Sequence, residues 1–270
     1  MSEIAFGQYY PSRSLAHRCD PRTKILFLIV FIVAVFIADN FYSLGACGLA
    51  FLITAFCSGI PAKKLLKSVK AVLFLLVFTA VLNLFFQTEG TVVFELGIIK
   101  FTKEGIFATV FLIVRLFLLV LSSSLLTLTT TPVALTDGIE SLLTPLKWIG
   151  LPVHELALIM SIALRFIPIL TDETSRIMNA QKARGADFEN GKLTDRVKAV
   201  IPVLIPLLIS AFRRAEELGD AMDARCYSGS KVRTKYKKLT FAPRDIFVLF
   251  FIAVLLVAVI LLGSWFAPII

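Results

Sequence analysis

Residues 151–198 read LPVHELALIMSIALRFIPIL followed by TDETSRIMNAQKARGADFENGKLTDRVK, and the fold turns on whether the first part crosses a membrane. Leu151–Leu170 is apolar enough to be a span. Crossing there would put residues 171–198 outside, together with Arg176, Lys182, Arg184, Lys192, Arg196 and Lys198. Lys/Arg-rich short loops stay on the cytoplasmic side, so the crossing conflicts with the charge pattern. The stretch is also interrupted by His154, Glu155 and Arg165. It reads as a long amphipathic helix on the cytoplasmic side, its apolar face set against the membrane spans or a membrane partner. Val197–Phe212, interrupted by Pro202 and Pro206, reads the same way. A seven-span chain is the alternative.

Outward from this stretch lie five apolar runs suited to spans of roughly 20 residues: Lys24–Ala38, Leu44–Phe56, Val69–Phe86, Ile106–Leu128 and Ile246 to about Pro268. The first two are short and borrow flanking residues. Asp20 is placed to cap the first helix, and Pro21 suits its first turn. Residues 1–24 carry Arg13, Arg18, Arg22 and Lys24, and loop 39–43 carries no Lys or Arg. Loop 59–70 carries Lys63, Lys64, Lys67 and Lys70, whereas loop 87–104 sets Lys100 and Lys103 against Glu89, Glu95 and Glu104. The alternation predicts a cytoplasmic N-terminus and a return to the cytoplasm at Thr129–Pro132. The expected fold is an all-α polytopic membrane protein with about five transmembrane helices plus long cytoplasmic amphipathic helices. Its parts are 1–130 (four spans), 131–242 (the cytoplasmic helical region) and 243–270 (the last span).

Composition agrees. Of 270 residues, 57% are hydrophobic and 24 are Phe, and mean hydropathy is +0.85. The net charge of +9 is the signature of basic cytoplasmic loops rather than of nucleic-acid binding. Cys19, Cys47, Cys57 and Cys226 form no C-x-x-C pair, and His17 and His154 are the two histidines. No disulfide framework or metal site is expected. The polar segment before the first apolar run carries no cleavable signal pattern.

Catalytic chemistry is not legible. Gly185 and Gly191-Lys192 are separated by five residues rather than four, and Leu193 stands where a P-loop needs a hydroxyl for Mg²⁺. No triad or H-E-x-x-H pattern is present, and no cofactor is expected. Arg115 falls mid-way along the fourth run, where a lone cation costs about 2.5–3.5 kcal/mol. It reads as an inter-helix pin, paired with a polar group such as Asn83, rather than as a gating contact. Arg165 reads as structural, snorkelling or pairing with Glu155 or Glu173. Pro168, Pro202 and Pro206 are expected to bend their helices. Gly185 and Gly191, past the first tip, suit a helix end and a turn, and Gly229 follows the second tip. The basic tail Lys231–Lys238 is expected against anionic lipid head groups.

One pattern repeats. Ala180-Gln181-Lys182-Ala183-Arg184-Gly185 and Ala221-Met222-Asp223-Ala224-Arg225-Cys226 share Ala-x-x-Ala-Arg. A single terminal arginine commonly complements its helix dipole. Two in one frame, each behind small residues, read instead as paired plugs whose planar guanidinium forks suit carboxylates or carbonyls of a partner.

With Leu15-Ala16-His17-Arg18-Cys19-Asp20-Pro21-Arg22-Thr23-Lys24, Thr129-Thr130-Thr131-Pro132, Leu151-Pro152-Val153-His154-Glu155-Leu156 and Ala163-Leu164-Arg165-Phe166-Ile167-Pro168, the two tips make a chain that resembles the transmembrane (T) component of energy-coupling factor transporters. These are ABC-type importers of vitamins and trace metals in prokaryotes. The resemblance covers nearly the whole chain. It implies a non-enzymatic coupling subunit of the cell membrane. Ala183, Arg184 and Gly185 would bind one of two ABC-type ATPase subunits, and Ala224, Arg225 and Cys226 the other. The apolar parts of the helices would meet a substrate-binding membrane subunit, the S component, which topples when ATP draws the tips together. Family members often carry Gly or Ser after the second arginine, and the small Cys226 stands there here. The alternative is a stand-alone permease or channel, against which the scarcity of polar groups in the spans counts.

Overall fold

A computed structural model describes residues 9–12, 14–86, 91–96, 99–150, 152–188, 193–227 and 241–265. Gly191, Lys192, Gly229 and the basic tail Lys231–Lys238 lie outside these residues, as do Arg13, Glu89 and Pro268. The elements in chain order are α1 (Leu15–Arg18), α2 (Pro21–Ile37), α3 (Phe41–Ser58), α4 (Ala62–Phe86), β1 (Val92–Leu96), β2 (Ile99–Thr102), α5 (Lys103–Thr129), α6 (Pro132–Leu143), a 3₁₀ segment (Thr144–Ile149), α7 (Val153–Ala183), α8 (Leu193–Ala224) and α9 (Pro243–Trp265). The protein is an all-α polytopic membrane protein. The one exception among the described residues is the antiparallel hairpin β1–β2. It falls in the stretch 87–104, expected as a loop, where β-branched and aromatic residues cluster.

Two compact units divide the chain: residues 1–154 with 239–270, and residues 155–238. In the first, α2 packs on α9, α6, α5 and α3, and α5 also packs on α4. Phe31, Val35, Leu44, Phe111 and Val259 are fully buried at its centre. Sequence-local caps fix where the helices start. The Asp20 carboxylate accepts from Arg22 N–H at 2.9 Å with Pro21 in the first turn, as the sequence predicts. Asn40 and Ser43 form a reciprocal capping box at α3.

Long-range polar contacts then clamp α9 at both ends. Asp20 N–H donates to Asp245 Oδ1 at 2.9 Å, and Asn40 Nδ2 donates to the Leu262 carbonyl at 3.0 Å. Asp245 is 1% exposed. Its second oxygen accepts from Ala242 N–H at 2.8 Å, so the buried carboxylate is satisfied by backbone donors.

Among the described residues, α3, α5, α7 and α9 are long and apolar enough to cross a bilayer. The count rises to five if α4, bent by 60° between Ala62–Lys70 and Val72–Phe85, is one span. The bend separates the lysine-rich part of α4 from its apolar part. Membership differs from the sequence reading at two places. α2 has 17 residues, the short limit for a crossing. α7 qualifies by its apolar first half, yet Val153 is its sole buried residue.

Candidate functional site

The repeated motifs end the two helices of the second unit, and they end them in the same way. At α7, Ala186 N–H donates to the Gln181 carbonyl at 3.0 Å and Gly185 N–H to the Lys182 carbonyl at 3.0 Å. At α8, Tyr227 N–H donates to the Met222 carbonyl at 3.0 Å and Cys226 N–H to the Asp223 carbonyl at 2.9 Å. Each pair is a Schellman cap, which requires a left-handed residue just past the helix. Gly185 has φ +90° and Cys226 φ +56°. The arginine holds the same position in both, immediately before the left-handed residue.

At each end, two of the terminal carbonyls that a basic side chain would otherwise cap are thus taken by backbone N–H groups. Arg184 and Arg225 are both exposed, and their side chains make no hydrogen bond or ion pair with any described residue. Ala183, Gly185, Ala224 and Cys226 are exposed beside them, so small side chains leave each guanidinium open to an approaching surface.

α7 and α8 run antiparallel. Arg214 Nη2 donates to Glu173 Oε2 at 2.7 Å. An apolar seam joins Ile162, Phe166 and Leu170 to Ala215, Leu218 and Met222. Both helices continue through their prolines, Pro168 in α7 and Pro202 and Pro206 in α8. A proline lacks the N–H that its i−4 carbonyl would accept. Pro206 therefore frees the Pro202 carbonyl, and Gln181 Nε2 donates to that oxygen at 3.4 Å. Gln181 and Met222 occupy the same place in the repeated motif, and each faces the opposite helix. Antiparallel packing sends the two C-termini opposite ways. Each arginine lies eleven residues beyond its helix's member of the Glu173–Arg214 pair. At 1.5 Å per residue the two tips stand about 30 Å apart.

Two predicted partnerships differ in the structure. Arg115 does not reach Asn83. Its Nη2 donates to the Ala38 carbonyl at the end of α2, and its guanidinium lies 4.7 Å from the Phe111 ring centre. Asn83 Oδ1 instead lies 3.1 Å from the Thr109 hydroxyl. The carbonyls at a helix end attract a cation, which a reading of span depth alone misses. Arg165 is exposed and makes no ion pair with any described residue. Glu173, one of its expected partners, is occupied by Arg214.

Sequence reasoning also missed His154. Its Nδ1 lies 3.1 Å from Glu140 Oε1 and ties the first turn of α7 to α6. The local signal was present, since His154 and Glu155 break an otherwise apolar stretch. Asp245 carried a signal only as an acid in the first turn of α9.

The cobalt transport protein family CbiQ matches residues 12–236 of the chain, both arginine tips included. The energy-coupling factor transporter transmembrane protein EcfT of Ruminiclostridium cellulolyticum is 50% identical over 246 residues, covering 91% of this chain and 92% of its own length. The protein of the same name from Brevibacillus brevis is 48% identical over 265 residues, 98% and 99% of the two chains. That from Bacillus subtilis is 45% identical over 255 residues, 94% and 96%. The chain belongs to this family of energy-coupling factor transporter transmembrane proteins.

Proposed function

We propose that the chain is the coupling subunit of an energy-coupling factor importer. Arg184 and Arg225 would each seat in a groove of one of two separate ABC-type ATPase subunits. The observation that carries this reading is the pair of identically capped arginines, without a partner among the described residues, at opposite ends of one antiparallel helix pair. Two related sockets about 30 Å apart are what such a pair fits. A guanidinium already excused from capping its own helix offers all five donors to carboxylates or carbonyls of a partner. The sequence carries no P-loop pattern, which supports ATP hydrolysis by the partners.

The exposed apolar residues Leu156, Ile159 and Met160 of α7 and Leu204, Ile205 and Leu208 of α8 support the second half of the reading. Exposed apolar clusters of this kind, one near each end of the helix pair, support a protein or membrane interface, here with the S component that binds a vitamin or other micronutrient. ATP-driven closure of the ATPases would draw the tips together, and the helices would pass the motion on. α7 and α8 would lie on the cytoplasmic side, with the N-terminus, in a prokaryotic cell membrane.

The test is assembly and transport with Arg184→Glu, Arg225→Glu and the double variant, co-expressed with candidate ATPases and S component. Each single reversal is expected to weaken co-purification of an ATPase, and the double to abolish assembly and ATP-driven uptake. Survival of both in the double variant would sink the coupling role.

A further inference from the structure

The starts of α2 and α9 and the ends of α3 and α5 enclose, with α1, a pocket of about 450 Å³. That size lies within the range of roughly 300–1,000 Å³ typical of ligand sites. All four long helices reach it at the same end, so it sits at the level of one leaflet. Its wall is apolar, with Phe27, Leu28, Ile53, Leu126, Phe247 and Phe251 among the lining residues.

Among the described residues, Lys24 and Arg244 are the only charged groups in that lining, and both are cations. A cation in the first turn of a helix opposes the helix dipole, so neither favours its own helix electrostatically. Lys24 Nζ is held in place by the Thr129 carbonyl at 3.1 Å and the His17 carbonyl at 3.4 Å, which leaves its third N–H. Arg244 is exposed and makes no hydrogen bond or ion pair with any described residue. The nearby carboxylates are committed elsewhere. Both Asp245 oxygens accept backbone N–H groups, and Asp20 Oδ1 accepts that of Arg22.

We infer that this pocket holds one anionic phospholipid of the leaflet nearest the N-terminal segment, its acyl chain against the apolar wall and its phosphate between Lys24 and Arg244. A polar metabolite would leave its hydroxyls unpaired on that wall. Asp245 and Asp20 offset part of the Lys24 charge, but a neutral lipid would leave Arg244 unanswered, and basic pockets between membrane helices favour anionic head groups.

The test uses the intact chain alone, so its failure leaves the coupling proposal standing. Nanodiscs of equal phosphatidylglycerol and phosphatidylcholine are opened in a native mass spectrometer. One phosphatidylglycerol is expected to stay bound, favoured roughly ten-fold over phosphatidylcholine. Arg244→Gln should bring that ratio close to one, and Arg244→Lys should keep most of it. Leu126→Trp, which fills the pocket, should lose retained lipid of either kind. Soluble glycerophosphoglycerol should not displace the lipid. A second readout needs no variant: Cys57, an exposed lining residue, should be alkylated more slowly in phosphatidylglycerol discs than in phosphatidylcholine discs. Equal retention of the two lipids, an unchanged ratio in Arg244→Gln, displacement by the head group alone, or equal Cys57 rates overturns the assignment.

Discussion

The two motif ends differ at one residue, and the difference is conformational rather than one of size. Gly185 and Cys226 both occupy the left-handed region, where a Cβ costs an L-residue about 1–2 kcal/mol. Cys226 carries that cost and Gly185 does not. Cys226→Gly is therefore expected to stabilise the second tip by about 1 kcal/mol, and Gly185→Ala to destabilise the first by a similar amount. Hydrogen exchange at the Tyr227 and Ala186 amides, the closing donors of the two caps, reads both effects.

A second single-residue effect lies at His17. Its Nε2 donates to the Tyr10 carbonyl at 2.8 Å, which only accepts, and its Nδ1 faces the Ser14 hydroxyl at 2.6 Å. Burial, with the Lys24 charge adding to it and the Tyr10 bond opposing it, pushes its pKa below 6.5. A depressed folded pKa contributes stability that is full above the unfolded value and is lost as pH falls through the folded value. The melting temperature is expected to drop from about pH 7 to about pH 5, and His17→Gln should flatten that slope.

At the scale of elements, the close approach of α6 to α2 depends on one position. A Cβ on Gly138 would lie 3.0 Å from Ile25 Cδ1, 3.1 Å from Pro21 Cβ and 3.3 Å from the Pro21 carbonyl carbon. The isoleucine tip can move, but the Pro21 backbone cannot without shifting the cap of α2. Gly138→Ala should cost about 1–3 kcal/mol, seen as a lower melting temperature in detergent with the tips' own exchange unchanged. The elements themselves are largely legible in the sequence. Asp20-Pro21 announces the start of α2, and apolar runs locate α3, α5 and α9 to within a few residues. The hairpin is not legible, because two short strands inside a connection carry little periodicity. Neither is the start of α4, since the lysines of Ala62–Lys70 make that part look like loop.

At the scale of the whole molecule, the arrangement of the second unit sets a distance. Spin labels at Ala183 and Ala224, on a background lacking the four native cysteines, should report a separation of about 30 Å in the isolated chain. A separation of about 10 Å, the spacing of two packed helix axes, would mean that the helices run parallel and would remove the two-socket geometry. In the assembled transporter, the coupling proposal expects ATP to shorten the distance between the labels.

Hydropathy, charge alternation and the repeated Ala-x-x-Ala-Arg are local or periodic properties of the chain. They determined the membrane class and marked both arginine tips. What they could not carry is pairing between groups far apart in the chain. That Asp20 and Asn40, near one end of the sequence, clamp the two ends of α9 near the other depends on where the intervening helices bring those groups. The same holds for Arg115, whose acceptor is a backbone carbonyl and so leaves no trace in side-chain identity. The opposite orientation of the tips was decided by antiparallel packing, through Glu173–Arg214 and the carbonyl that Pro206 leaves open to Gln181. A sequence can supply a free carbonyl by placing a proline, but only the fold decides which donor arrives there.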